Sequence, residues 1–592
     1  MENFSPKYQA WVQETREHLP PLNLYTFLAV IATICITTRI LSGRQSTPRE
    51  YAPGEARDVR KLPHWIPYLG HAISLGVGSV NFLLKARTSL NHDPVFGLHM
   101  GGKTHNMVTT PSLMHSLFLQ RTAASQDGFI GYLMVKVFGA PKHVLDMKTD
   151  EIKVVHSALS LMMRDPCLSN MASNIARGVE RECPNLVSFA PSLIDQTPWE
   201  RVSQVTVSND NPNVCEANLF ALVRNYVGTI ATKTLMGRAF MDLYPNILED
   251  LWTFDRQFNL LLLGVPPWFP LPRVSAAYAA RARLAKAMTS FHAAFAAIEN
   301  GQDPGFDWRD MDDVSEVMQA RARGWMKTGY HPKATGPGDL AVLWAMNVNA
   351  NMAVFWLLLH ILSDPNLLAE VSEEIAPYAK AARPDQAKTG FPIPEPPTLS
   401  LDIDGLLNHC PVFKAACYET LRLDSSAFSY KEVVSNCTLS ESQQDASLRG
   451  AKAQSYNLRA GEYVCIPHGT HHHDSLYFPE PTKFDPRRFL VDADGKPVTD
   501  VLEPSTEGEK MNSKARGLTA NIGTIRPFGG GSTVCKGRLF AEREILAFVA
   551  GMLVMWDIQP ADGGAWKIPG RLPASAVALP DKDIRVKLKL KV

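Results

Sequence analysis

Apolar and polar positions divide this chain into a few long uncharged runs and a broad stretch of helical periodicity. Leu19–Thr38 carries no charged residue over 20 positions, enough to cross a bilayer core as a helix. Leu340–Ser363 is a second run, with His360 as its one acidic or basic group. Asn347, Asn349 and Asn351 stand at its middle. Unpaired amides are costly in lipid, so this run is expected to be a central helix buried in protein. Leu539–Trp556 reads as a third apolar helix. Residues from about 95 to 120 predict short strands and turns, and those from about 120 to 300 predict helices, with loops at 183–199 and 208–214. The tail, Val586–Val592, alternates strictly, the pattern of a half-buried strand. Segments 380–400, 435–460 and 490–520 are polar and read as surface loops or insertions. Leu260–Pro272 is apolar but broken by proline. It suits either a buried loop or an apolar tip dipping into a bilayer surface, where Trp268 and Phe269 would sit at the interface.

Charge adds an orientation. Glu2, Lys7, Glu14, Arg16 and Glu17 nearly cancel before the first run, whereas Arg39, Arg44 and Arg49 follow it. Positive flanks stay cytosolic, so the body after the run is expected there. A cleaved signal peptide is disfavoured by the late start of the apolar run and the want of a small-residue cleavage site. Leu62-Pro63-His64-Trp65-Ile66-Pro67-Tyr68-Leu69-Gly70-His71 reads as a stiff connector. Over the whole chain, 60 basic residues face 59 acidic ones, which argues against binding nucleic acid or another polyanion. Nine cysteines are scattered without a CxxC pair, the usage of reduced thiols in the cytosol.

The candidate chemistry lies in Arg526-Pro527-Phe528-Gly529-Gly530-Gly531-Ser532-Thr533-Val534-Cys535-Lys536-Gly537-Arg538. Consecutive glycines let a backbone adopt positive φ and approach a flat object closely. A lone cysteine at a helix start meets backbone N–H donors and the positive dipole end, so its thiolate is expected to be favoured. One such thiolate suits a single axial bond to a metal held by a macrocycle. Gly537 would keep bulk off the sulfur and Phe528 would shield it.

Phe528, Gly531, Cys535 and Gly537 together resemble the heme-binding signature of the cytochrome P-450 family. Two further motifs fit. Tyr418-Glu419-Thr420-Leu421-Arg422-Leu423 resembles the family's Glu-x-x-Arg helix, and Arg488 in Phe484-Asp485-Pro486-Arg487-Arg488-Phe489 resembles the third member of that buried network. Leu343-Trp344-Ala345 through Phe355-Trp356, with Ile66-Pro67-Tyr68-Leu69-Gly70, is most similar to the sterol 7-alpha-hydroxylase and prostacyclin synthase branch. The resemblance spans roughly residues 60–592.

It implies a mainly α fold with a small β lobe behind an N-terminal membrane anchor. Residues 1–44 would hold the anchor (span about 19–38), 45–72 a proline-rich hinge and 73–592 a heme-thiolate catalytic domain. It also implies heme b, with Cys535 as iron ligand and Lys431 in place of the usual propionate-binding arginine. NADPH-cytochrome P-450 reductase, with cytochrome b5 as a further candidate, would supply electrons, and Lys536 and Arg538 would either help dock it or serve as heme-side structural residues. The expected activity is monooxygenation of an apolar substrate (steroid, terpenoid, lipid or secondary metabolite) at the endoplasmic reticulum membrane.

Departures from the pattern matter as much. Thr533 stands where the family carries a propionate-binding Arg or His, the common Trp-x-x-x-Arg pattern is not evident, and Arg487 replaces the usual Glu. Asn349-Ala350 replaces the acid or amide and threonine that deliver protons to dioxygen. Asn349 is then the candidate donor, directly or through water. The alternative is an isomerase or dehydratase that needs neither dioxygen nor reductase. His468, His471, His472 and His473 invite a zinc reading, but their spacing and the missing fourth ligand disfavour it.

Overall fold

The computed structural model describes residues 24–44, 46–47, 51–52, 54–142, 149–328, 332–384, 395–498 and 517–592. Its contacts separate two compact units: described residues up to Ala124 with Glu432–Ile466, and Ser125–Lys431 with Pro467–Val592.

The first unit begins with the apolar helix Leu24–Arg44. Its 21 residues span about 31 Å at 1.5 Å per residue, and none of its most apolar window is buried. Residues 19–23 of the uncharged run lie outside the described residues, and the helix continues six residues beyond Thr38. That extension carries Arg39 inside the helix, where its guanidinium donates to the Pro63 carbonyl and lies 5.4 Å from the Trp65 ring. Ser42 Oγ in turn donates to the His64 carbonyl at 3.1 Å. The prolines of the connector thus hold a fixed place beside the helix end. Strands Val95–Met100 and Lys103–Val108 form an antiparallel hairpin, and residues 463–465 join its second strand in parallel. Segment 435–460 is not a loop. Cys437–Ser440 and Ser455–Leu458 pair antiparallel around a short helix, Gln443–Leu448. Only Leu439, Tyr456 and Leu458 of these strands reach the small core, which is why the stretch reads as polar.

The second unit is helical. The long helix Pro332–Ser363, termed here the central helix, is 83 % buried over its apolar window, as its asparagines predict. It packs against Leu219–Met236 and Pro272–Glu299. Gly336 permits the second approach, since a Cβ there would lie 2.5 Å from the Ala285 carbonyl oxygen. Helix Arg538–Met555 packs on the central helix and on Cys167–Glu182. At its end the chain enters a sheet in which Arg585–Leu590 pairs antiparallel with Trp556–Pro560 on one side and Val214–Asn218 on the other. The alternation of the tail therefore marks a central strand with Val586 and Leu588 buried. Between helices Phe258–Leu262 and Pro272–Glu299 the apolar stretch forms a turn with Trp268 80 % exposed. Of the two readings of that stretch, the exposed tip holds.

Segment 380–400 has strands at its base, Ala379–Ala382 paired with Thr398–Leu401, while 385–394 lie outside the described residues. In segment 490–520, Leu490–Val491 pairs with Thr519–Ala520, and 499–516 lie outside the described residues.

Candidate active site

The cysteine loop takes its shape from glycine. Gly529 and Gly531 adopt φ of 71° and 62°, the left-handed region that L side chains avoid. The turn closes as Cys535 N–H donates to the Phe528 carbonyl at 2.9 Å and Gly529 N–H to the Arg526 carbonyl at 3.0 Å. Thr533 Oγ1 donates to the Gly530 carbonyl at 3.0 Å, so the threonine serves the loop's own fold. A Cβ on Gly537 would rest 3.8 Å from Cys535 Sγ, in direct contact with the sulfur.

The Cys535 side chain is accessible, yet surrounded closely enough that burial pushes its thiol pKa up. The Gly537 and Arg538 N–H groups and the Arg538 and Lys536 charges act in the opposite direction. An accessible sulfur in a desolvating surround faces a recess rather than bulk water. The helix start alone does not yield the thiolate expected from sequence, because desolvation of the anion outweighs it. A coordinated metal cation would, since it deprotonates a ligating thiol outright. Arg538 donates to the Cys535 carbonyl at 3.1 Å, which makes it a structural residue of the loop.

Glu419, Arg422 and Arg488 meet. Arg422 forks onto Glu419 with both bonds at 2.7 Å, and both side chains are fully buried. Arg488 Nε stands 3.5 Å from Glu419, an ion pair rather than a hydrogen bond, while its Nη2 donates to the Glu480 carbonyl at 3.2 Å. The remaining Arg422 donors reach the His472, Pro481 and Lys483 carbonyls. One guanidinium thereby ties the helix Pro411–Leu423 to the irregular segment before Arg488.

Lys431 is 4 % exposed and has no carboxylate partner among the described residues. Burial lowers its pKa. A buried ammonium without a counter-charge is costly, and a carboxylate ligand would relieve that cost. The glycine loop, the recessed thiol and this unpaired cation all fit a heme with its propionates.

On the otherwise buried central helix, Ala345 is exposed, and Trp344, Met346 and Asn349 are part-buried. This strip borders open space and is apolar apart from one amide. Asn349 Oδ1 accepts from the Val577 N–H at 3.2 Å, which leaves its NH2 end as the one that faces elsewhere. Ala350 is buried. Asn347 and Asn351 point into the protein: Thr232 donates to Asn347 Oδ1 at 3.2 Å, and the Asn347 amide bonds the Leu343 carbonyl.

One feature escaped the sequence. Asp424, 1 % exposed, accepts from His360 Nε2 at 2.8 Å and from Arg571 Nε at 2.6 Å. Burial pushes its carboxyl up, but His360 and Arg571 together hold it below the usual range. The lone ionisable residue of the central run was the available signal. Residues 571–578 are thus pinned from Asp424, Asn349 and Trp356, whose Nε1 donates to the Ala578 carbonyl at 2.8 Å. The histidine tract singled out in the sequence forms the buried helix His468–His472, and among the described residues no His/Cys/Asp/Glu group is arranged to hold a metal. A cleft of about 580 Å³ lined by Arg177, Lys233, Asp312 and Glu316 shares no residue with the cysteine loop.

The profile of the cytochrome P450 family matches residues 341–588, the segment that holds the cysteine loop, Glu419, Arg422, Arg488, Lys431 and Asn349. The chain is 24 % identical over 508 residues to cytochrome P450 monooxygenase poxD of Penicillium oxalicum, covering 86 % of this chain and 88 % of that one. It is 25 % identical over 581 residues to cytochrome P450 monooxygenase efuG of Hormonema carpetanum, covering 92 % and 94 %. A cholesterol 7-alpha-monooxygenase of Cricetulus griseus is 24 % identical over 540 residues, covering 89 % and 92 %. The sterol hydroxylase branch is therefore among its relatives.

Proposed function

The chain belongs to the cytochrome P450 family of heme-thiolate oxidoreductases, and from that premise we propose that it inserts one oxygen atom from dioxygen into an apolar substrate, with Cys535 as the iron ligand. The observation that carries the residue assignment is the accessible, recessed Cys535 on a loop whose backbone needs glycine at 529 and 531. When bound, the heme supplies dioxygen activation, with the thiolate pushing electron density toward O–O cleavage. The protein's part is to hold and orient. Cys535 would supply the ligating sulfur, Phe528 would shield it, and Gly531 and Gly537 would leave room for the macrocycle. Lys431 neutralises a propionate as a point charge rather than a fork. Glu419, Arg422 and Arg488 brace the scaffold behind the loop. Asn349 presents its NH2 to the open strip of the central helix and takes the proton-delivering place that Ala350 cannot fill.

Electrons would come from NADPH through a cytochrome P450 reductase, with Lys536 left free to meet an acidic partner because Arg538 is engaged in the loop. The helix Leu24–Arg44 would anchor the protein in the endoplasmic reticulum membrane with the catalytic body cytosolic, and the exposed Trp268 and Phe269 are candidates for a membrane contact of their own. The apolar substrate would be a steroid, terpenoid, lipid or secondary metabolite, and the names of the sterol hydroxylases among the relatives favour the first.

Ala350 favours a second reading, in which the heme rearranges or dehydrates its substrate without dioxygen. Turnover with labelled dioxygen and purified reductase separates the two. Label in the product, lost when reductase is omitted, is the expected result. Unlabelled product formed equally well without reductase overturns monooxygenation and establishes the second reading.

A further inference from the structure

Between the buried ion-pair network and the cysteine loop stands one histidine that bonds to both. The His472 carbonyl accepts from Arg422 Nη1 at 2.7 Å, and Arg422 is held in turn by its fork onto Glu419. The His472 ring lies on the other side of this link. Its Nε2 accepts from the backbone N–H of Arg526 at 3.3 Å. Arg526 is the first residue of the loop, and its carbonyl closes the turn at Gly529, from which Phe528 reaches the Cys535 N–H. His472 is 0 % exposed.

An imidazole that accepts at Nε2 must be neutral with its proton on Nδ1. The surroundings enforce that state: burial, then the neighbouring His471, His468 and His473 and the Arg422 charge, hold its pKa well below the ordinary value. A protonated ring would offer a second donor to the Arg526 N–H and open the contact. The ring therefore acts as a fixed acceptor, and the neighbouring histidines keep it one. His471 donates to or accepts from Thr524 Oγ1 at 3.0 Å, two residues upstream of Arg526. His468 meets Ser429 Oγ at 2.8 Å, on the strand that carries Lys431.

We propose that His472 is the positioning residue that transmits the Glu419–Arg422 brace to the cysteine loop, so that its neutral ring fixes the height of Cys535 as an iron ligand. This rests on the heme-thiolate reading above. The histidine tract is then a clamp for the loop, which accounts for three of the four clustered histidines, while His473 bonds the Gly469 carbonyl of its own helix at 2.9 Å. Losing the acceptor leaves the Arg526 N–H unpaired and frees the start of the loop, and the sulfur is held less firmly against protonation and loss of the thiolate bond. Glutamine places an amide oxygen where Nε2 stood, and phenylalanine fills the same space without an acceptor.

The test is His472→Phe against His472→Gln in the full-length, heme-loaded protein, read by the Soret band of the ferrous–CO complex and by amide hydrogen exchange over 526–535. Heme content and melting temperature serve as controls. The H472F protein should show a several-fold larger fraction of complex in the thiol-type rather than thiolate-type form, and faster exchange over the loop. H472Q should restore both. A full thiolate-type band in H472F, or equal impairment in H472F and H472Q at matched heme content, overturns the proposal. If H472F yields no heme-loaded protein, H472Q decides: a thiolate-type band and protected loop like those of the unaltered chain support the clamp, and their loss with melting unchanged refutes it. An unaltered chain that shows no thiolate-type band would overturn the heme-thiolate assignment itself, a result distinct from any difference between the two variants.

Discussion

Lys431 and Asn349 are each half of an interaction. Lys431 is buried without a counter-charge among the described residues, so Lys431→Met removes a desolvated cation and leaves the fold intact or slightly steadier. A hydrogen bond to a charged group contributes about 1.5–3 kcal/mol, so the variant should release heme roughly 10–100-fold faster. Transfer of heme to an acceptor protein measures this, and an unchanged rate removes Lys431 from the propionate site. Asn349 poses a finer problem, because its carbonyl supports Val577 while its NH2 is the proposed donor. Asn349→Leu deletes the donor together with the acceptor for the Val577 N–H, so melting temperature serves as the control for the lost contact. A well-placed proton donor is worth ~10²–10⁴-fold in rate, so product formation should fall and hydrogen peroxide per NADPH should rise. If coupling is unchanged in that variant, the proton comes from elsewhere.

Among elements, the helix Pro411–Leu423 carries the pair whose burial decides its worth. Glu419→Ala strands the Arg422 charge in the interior at a cost of about 3–5 kcal/mol. Heme loading and melting temperature should both drop sharply. By contrast, Glu299→Ala, which breaks the exposed pair with Arg323, should shift stability by less than about 1 kcal/mol. Equal melting of the two variants would contradict the account. The helix His468–His472 sets a pH dependence. Burial, His471 and Arg526 bring the His468 pKa down to about 3. The unfolded chain, with its histidine near 6.5, takes up the proton first, so stability is full above about pH 6.5 and falls as pH drops toward 3. The slope is ~1.4 kcal/mol per pH unit for this residue. Urea unfolding at several pH values should show it, and His468→Gln should flatten it; an unaltered slope in that variant would assign the dependence to other groups.

For the molecule as a whole, the exposed helix Leu24–Arg44 is a candidate membrane anchor and the tip at Trp268 and Phe269 a proposed second contact. Deleting residues 1–44 should move much of the protein from the membrane fraction into a high-salt extract, with a residue retained through the tip. Further substitution of Trp268 and Phe269 by serine should release that remainder. A full-length chain found soluble from the outset would end the anchor reading.

Local patterns along the chain were enough to identify several things. The glycine loop around Cys535, the Glu419–Arg422 spacing, the buried character of the central helix and the half-buried tail strand follow from residue type and period, because near neighbours in sequence impose them. Tertiary structure decided the rest. Segment 435–460 forms strands although few of its residues are apolar, since pairing satisfies the backbone wherever a partner strand is supplied. The thiol of Cys535 is raised rather than lowered, because desolvation depends on everything packed around it. His360, Asp424 and Arg571 come from three distant stretches, as do Arg422, His472 and Arg526, and no periodicity links them. Hydrogen bonds and ion pairs reach across space, so which buried polar groups answer one another was settled only when the helices packed.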